Sequence, residues 1–264
     1  MESLKIQHLR RIVNNPYSDD VTYNLAKYIL RHLGKGIEDM TINDLADACY
    51  TSVSSVSRFI KKIGYSSYTD FRASIETHKE VTRNELIDDN LDNMEFGGND
   101  DRAVLYNFVE DIKKSLDTFV QNVDFDEIDE LLELIHEHEY VYFGGTLASG
   151  KAAECLQFQL LNYGKYVEFI DFDNETLDCE RVAAEGLVIF FSVTGNFINN
   201  RRKSIYQLDK KNVRKVLITQ NPNLKNSKLF DHVFRFNGES DNTAGRYQIQ
   251  LISEIIFNRY FQKY

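Results

Sequence analysis

The residues best suited to chemistry fall in three short clusters. The first, within residues 52–62, sets the hydroxyls of Ser52, Ser54, Ser55 and Ser57 ahead of the cations Arg58, Lys61 and Lys62. On a helix, small hydroxyls at the start can reach base edges in a major groove while Arg and Lys neutralise phosphates. The second cluster, FGGTLASG at residues 143–150, offers Gly145, Thr146 and Ser149; the third, FSVTGN at residues 191–196, offers Ser192, Thr194, Gly195 and Asn196. Glycines with hydroxyls at a helix start leave backbone N–H groups free to cradle a phosphate. Neither stretch is a Walker or Rossmann fingerprint, and a plain chain reversal uses the same residue types. The bases available for enzymatic proton transfer are Glu154 and His232, and no acid–base pair stands at a convincing spacing. No catalytic residue is therefore expected. Cys49, Cys155 and Cys179 are odd in number and far apart, so no metal site, disulfide framework or cofactor is expected.

The elements that must position these clusters follow from periodicity. Residues 41–65 read as two short helices joined by a tight turn. Leu45, Ala46 and Cys49 stripe the first, and Ser52 caps the second. In the second helix Val53, Val56, Phe59, Ile60 and Ile63 recur at steps of three and four and face a core, which leaves the serines and cations outward. The same pattern would serve a solvated helix face in an ordinary bundle. Around this pair lie a helix through Leu4, Leu9 and Ile12, one capped by Ser18 through Val21, Leu25, Tyr28, Ile29 and Leu33, and one over residues 68–78. Residues 1–79 thus form a five-helix, all-α module.

Residues 80–102 are acidic and Asn-rich and read as a linker, partly helical through Leu86, Ile87, Leu91 and Met94, or equally as a helix that continues into the next domain. Residues 103–264 change pattern. Two helical stripes come first, Val104 to Phe119 and, capped by Asp126, Ile128 to Ile135. Five β-rich runs then alternate with helices: 140–143, 166–170, 187–192, 213–219 and 232–236, with helical patterns at 147–163, 197–208 and near Ser227, and a final helix over 247–260. Such alternation predicts a parallel sheet covered by helices on both faces. Its ligands belong at the carboxyl ends of the strands, where both glycine-hydroxyl turns fall.

Charge separates the two halves. The chain holds 31 Lys+Arg and 41 Asp+Glu, net −10; residues 1–79 hold 11 and 9 of these, net +2, which leaves 20 and 32, net −12, for the rest. Only the N-terminal part can approach a duplex without repulsion. No apolar run approaches a membrane span and no signal-peptide core opens the chain, so a cytoplasmic protein with no membrane partner is expected.

Together these residues resemble the MurR/RpiR family of bacterial transcription regulators over almost the whole chain. The helix-turn-helix match rests on Thr41-Ile42, Leu45-Ala46, Ser52, Ser55, Arg58-Phe59, Lys61-Lys62, Gly64-Tyr65 and Phe71, and adds Thr41 to the candidate DNA contacts. Residues 103–264 resemble the sugar isomerase (SIS) domain, a five-stranded parallel α/β sandwich that binds phosphosugars and usually dimerises. Its Ser-x-Ser-Gly-x-Thr/Ser loop is similar to residues 192–197, with Thr194 keeping a hydroxyl and Phe197 replacing one. The resemblance implies a regulator of carbohydrate or amino-sugar metabolism that senses a phosphosugar. It also implies a homo-oligomer, dimer or tetramer, on a roughly palindromic operator. Two alternatives accompany it: an SIS-type isomerase or etherase, and a regulator whose SIS domain only dimerises, a reading that Phe197 keeps open.

Overall fold

The computed structural model describes residues 6–88, 98, 100–170, 172, 175–195, 198–199, 201–236 and 245–264. The chain divides into two compact units, Met1–Ile87 and Asp88–Tyr264.

The first unit is helical: α1 (Ile6–Asn14), α2 (Asp20–His32), α3 (Ile42–Ala48), α4 (Val53–Lys62) and α5 (Tyr68–Asp88). Its core joins Leu9 of α1, Leu25, Ala26 and Ile29 of α2, Leu45 and Ala46 of α3, Val56, Phe59 and Ile60 of α4, and Phe71 and Ile75 of α5. Each large aliphatic or aromatic side chain buried this way contributes about 1.5–3 kcal/mol, which holds short helices that would not persist alone.

Local choices depart from the sequence reading in four places here. The cap of α2 is Asp19, whose Oδ1 accepts the Thr22 N–H at 2.8 Å, while Ser18 Oγ instead donates to Ile12 O at 2.9 Å. A carboxylate binds the free N–H groups of a helix start more strongly than a hydroxyl does, and Ser18 is left to tie the preceding turn. Val21 and Val53, both expected inward, are 42% and 39% exposed because each sits in a first turn that the core does not reach. Helix α5 runs ten residues past the expected end at His78.

In the second unit α6 (Asp101–Asn122) and α7 (Phe125–Glu137) precede a sheet of β1 (Val141–Gly145), β2 (Glu168–Phe169), β3 (Leu187–Phe191), β4 (Arg214–Thr219) and β5 (His232–Arg235). The strands are all parallel, in the order β2-β1-β3-β4-β5. Between them run α8 (Leu147–Asn162), α9 (Glu175–Arg181) and α10 (Arg202–Leu208), and α11 (Gly245–Lys263) closes the chain.

Alternate strand residues point to opposite faces. Val141, Phe143, Leu187, Ile189, Phe191, Val216 and Ile218 meet α7, α8 and α11 on one side. Tyr142, Val188, Phe190 and Leu217 meet α9 and α10 on the other. This double burial is why the strands read as continuous apolar runs.

Helix α9 was not anticipated, since ETLDCER carries too few apolar residues to show a stripe; Cys179 and Val182 nevertheless tuck under the sheet. The second strand is shorter than expected, in keeping with its place at the edge. The cap of α7 is Asp124, not Asp126: its Oδ1 accepts the N–H groups of Asp126 and Glu127 at 2.9 and 3.2 Å.

Among the described residues no helix is long and apolar enough to cross a membrane, and no cluster of three or more His, Cys, Asp or Glu could hold a metal ion.

Candidate functional site

Two surfaces carry the residues singled out by sequence. On the first unit α3 and α4 form a tight helical hairpin. Thr41 caps α3 in a reciprocal box: its N–H donates to Asp44 Oδ2 at 2.8 Å, and Asp44 N–H donates to Thr41 Oγ1 at 3.2 Å. The Thr41 hydroxyl also donates to Asp44 Oδ2 at 2.7 Å and remains exposed. These bonds hold the Asp44 carboxyl below its ordinary pKa, the Thr41 hydroxyl first and its backbone N–H second. The turn between the helices passes through Tyr50 in the left-handed region at φ 52°, with its ring 98% exposed. Thr51 N–H then donates to Ala46 O at 2.9 Å, which turns the chain into α4.

Ser52 caps α4 as expected, accepting the Ser55 N–H at 3.2 Å. Its hydroxyl lies 2.8 Å from Ser54 Oγ and 3.0 Å from Ser55 Oγ, and Arg58 donates to Ser55 Oγ at 3.2 Å. The result is a chain of hydroxyls on the first turn, running into a guanidinium one turn on. Ser54, Arg58, Lys61 and Lys62 are exposed, while Ser55 and Ser57 are half-buried. Lys61 and Lys62 occupy the last turn, where cations complement the helix dipole, and Lys62 Nζ lies 3.9 Å from the Asp19 carboxylate. The apolar back of α4 (Val56, Phe59, Ile60) pins it to the core, so this polar face is held rigidly outward.

The second surface lies at the carboxyl end of the sheet. Strand order 2-1-3-4-5 reverses direction between β1 and β3, and the crevice at such a reversal is where ligands of these sheets bind. Gly145 ends β1 and pairs in register with Phe191 at the end of β3. Thr146 then caps α8 without a side-chain hydrogen bond to the helix start, so among the described residues its hydroxyl is not spent on the cap.

Here α8 is drawn very close to the strands. A Cβ on Gly145 would lie 2.9 Å from Phe191 O, and a Cβ on Gly150 would lie 2.7 Å from Gly145 O. Only glycine permits that approach, which sets the first turn of α8 against the next loop. Across it Ser149 Oγ accepts the Val193 N–H at 3.3 Å, and Ser192 Oγ accepts the Gly195 N–H at 3.1 Å. Both serines are buried, and each keeps a hydroxyl proton to donate. Gly195, at φ +86°, supplies the left-handed step the loop needs.

Gly145, Thr146, Ser149, Ser192, Thr194 and Gly195 are thus brought together around one crevice; Asn196 and Phe197 lie outside the described residues. Sequence reasoning missed three further members. Thr219 Oγ1 donates to Val193 O at 3.1 Å, Gln220 N–H donates to the same oxygen at 3.2 Å, and Asn221 Nδ2 donates to Thr194 O at 2.7 Å. Their signal was available: polar residues at and just past the end of the apolar run Val216–Ile218 in a strand that neighbours β3. Gly145 through Asn221, these nine cradle residues include no titratable side chain.

The two candidate bases lie elsewhere. His232 opens edge strand β5 opposite Val216, two residues short of the row through Gly145, Phe191, Ile218 and Phe234 that ends at the crevice. Glu154, on α8, forms an exposed-side ion pair with Lys151.

Comparison with known proteins follows the same division. A family model, the helix-turn-helix domain of the rpiR family, matches residues 18–80. An uncharacterized HTH-type transcriptional regulator of Providencia stuartii is 25% identical over 233 residues, covering 85% of this chain and 79% of that protein. The HTH-type transcriptional regulator GlvR of Bacillus subtilis is 27% identical over 190 residues, covering 71% and 67%. Among solved structures, the NanR protein of Vibrio vulnificus, determined complexed with ManNAc-6P, aligns with a TM-score of 0.51 at 19% identity, covering 98% of this chain and 92% of that one. A phosphoheptose isomerase from Francisella tularensis aligns at 0.50 with 11% identity, covering 60% of this chain and 97% of that one. These two likenesses concern the fold.

Proposed function

We propose that this chain, a transcription regulator with an RpiR-family helix-turn-helix domain, reads DNA through α4 and senses a phosphosugar at the β1/β3 crevice. The observation that carries the sensing half is the cradle itself. Among the described residues, buried hydroxyls, the Thr146 hydroxyl and a helix N-terminus converge there with no titratable group among them. Such a site suits an anionic group, and among its described residues none can move a proton, which favours a sensor over an isomerase. The fold-neighbour NanR was solved with ManNAc-6P, which points the choice of ligand towards sugar 6-phosphates.

On the DNA side, Arg58 and the serines of the first turn of α4 meet base edges, and Lys61 and Lys62 meet phosphates. The acidic second unit stays away from the duplex. A homodimer would present two such helices to a roughly palindromic operator, and a cytoplasmic location follows from that role. The effector must bind two conformations with different affinity to switch anything.

One observation favours the simpler reading, a C-terminal unit that only assembles. Ser149 and Ser192 each accept a backbone N–H, so both brace the loop whether or not a ligand comes. Thermal melting of the full chain with a panel of hexose and N-acetylhexosamine 6-phosphates separates the two. A specific effector at a hundred times its Kd adds about 2.7 kcal/mol and a visible rise in Tm. A panel with no rise removes the sensing role. Binding to sheared genomic DNA, read by sequencing, tests the other half: a palindrome beside carbohydrate genes supports it, and flat enrichment at low salt removes it.

A further inference from the structure

Helix α4 carries one apolar residue that the fold leaves unused. Val56, Phe59 and Ile60 are buried in the core of the first unit, and Ile63, just past the helix, joins them. Val53, the first residue of the helix, lies outside that core and is 39% exposed. Capping does not use it, because Ser52 makes the cap by accepting the Ser55 N–H. Nor does a β-branched side chain favour the helix. Its place is what gives this exposure meaning. Ser52 and Ser54, both exposed, flank it at the end of α4 that enters the major groove when α4 reads DNA. Cα–Cβ bonds tilt towards a helix N-terminus, so a first-turn side chain leans out over that end.

We infer that Val53 selects a thymine, its γ-methyl groups packing on the base's C5-methyl. The hydroxyls around it carry little sequence information: a serine donates or accepts, so it suits any base edge. Those of Ser54 and Ser55 are also within hydrogen-bond distance of Ser52 Oγ, at 2.8 and 3.0 Å. Arg58, further along the same exposed face, has the fork that fits guanine. An apolar group adds what neither supplies. In the major groove thymine alone presents a methyl group, and valine is the side chain here that gains by covering it. The cations Arg58, Lys61 and Lys62 on the same helix, set in the half of the chain with net charge +2, say that the covering partner is a polyanion. The inference rests on the proposal that α4 reads DNA and adds to it a base and the residue that selects it. Burial of one methyl-sized group corresponds to about a fourfold change in affinity.

Fluorescence anisotropy on the full chain provides the test, with the fragment that the wild type enriches most from sheared genomic DNA. Each thymine of that fragment is replaced in turn by deoxyuridine, which lacks only the C5-methyl. The wild type is expected to lose about fourfold in affinity at one thymine of a half-site. Val53→Ala should bind more weakly and lose nothing further from that same replacement, so its thymine-to-deoxyuridine ratio falls to about one. Lys61→Ala gives the contrast: a lost phosphate contact weakens every fragment alike and keeps the fourfold ratio. A methyl-sensitive thymine that Val53→Ala leaves equally sensitive overturns the assignment to Val53. A wild type indifferent to every replacement overturns it as well, while α4 stays the reading helix. Should Val53→Ala melt early, Val53→Thr keeps the shape and exchanges one methyl for a hydroxyl; it should reduce the ratio, and an undiminished ratio overturns the contact. A wild type that enriches no fragment sinks the DNA reading itself, and this inference with it.

Discussion

Gly150→Ala offers a test in which the sign of the effect decides. In an ordinary helix interior, alanine in place of glycine gains about 1 kcal/mol. Here the added Cβ would sit 2.7 Å from Gly145 O and 3.0 Å from Gly145 C. Carbon–oxygen contacts are normally about 3.3–3.6 Å, so α8 and the end of β1 must part by roughly 0.6–0.9 Å. Both sides of the contact are backbone, and no side chain can swing away to relieve it. Overpacking of this kind costs about 1–3 kcal/mol, and rigid backbone on both sides places it at the upper end. After the helix-propensity gain, a net loss of about 1–2 kcal/mol is expected. Urea denaturation followed by far-UV circular dichroism reads this out on the full chain. The transition of the second unit should fall by roughly 0.5–1 M for a slope of about 2 kcal/mol/M. Gly164→Ala serves as a control: φ is +96° and nothing lies within 4 Å, so it should cost only the left-handed backbone term, about 1–2 kcal/mol. The control should keep any Tm response to a sugar phosphate, whereas Gly150→Ala should lose it, because the first turn of α8 moves off the cradle. A Gly150→Ala protein more stable than wild type would refute the close approach and the cradle built on it.

Three other outcomes are expected. Arg58→Ala should weaken operator binding by roughly ten- to a hundredfold, as loss of a base or charged contact worth about 1–3 kcal/mol implies, with melting unchanged; fluorescence anisotropy with undiminished affinity would remove α4 as the reading helix. Tyr50→Gly should stabilise the first unit by about 0.5–1 kcal/mol, since relief of the left-handed strain outweighs glycine's entropy cost and the 98% exposed ring packs on nothing; a lowered Tm would count against the turn. For Asp44 the folded-state pKa is depressed, so its stabilisation is complete above the ordinary aspartate range and is lost as pH falls through the lowered value. Asp44→Asn should therefore make the first unit's Tm less sensitive to acid below about pH 4, where the unfolded-state carboxyl titrates. Asp19 and Asp70 are depressed in the same direction and will keep part of the slope, but an acid limb identical to wild type would contradict the capping box.

Much of this molecule was legible before folding because the controlling physics is local. A side chain's face on a helix or strand follows from a period of 3.6 or 2, so Val56, Phe59 and Ile60 inward and Arg58, Lys61 and Lys62 outward could be read from spacing alone. Runs such as LVIFF in β3, short, apolar throughout and rich in β-branched and aromatic residues, suit strands buried on both faces. Ser52 as a cap and glycine beside hydroxyls at residues 144–149 are turn chemistry, decided within a few residues. Competition between neighbours for one backbone donor is harder: Asp19 outbids Ser18 and Asp124 pre-empts Asp126 through small differences in geometry that spacing does not encode. Strand order is set further still from local sequence. It alone brings the loop after β1 beside the loop after β3, lets Ser149 reach Val193 across 44 positions, and recruits Thr219 and Asn221 to the same crevice. The stripe on α6 shows the same division. Its period was plain in the sequence, but only the packed sandwich shows that α11 covers Phe119 and leaves Leu105 and Val109 to water. Periodicity determines which face is apolar; burial depends on what the rest of the chain brings against that face.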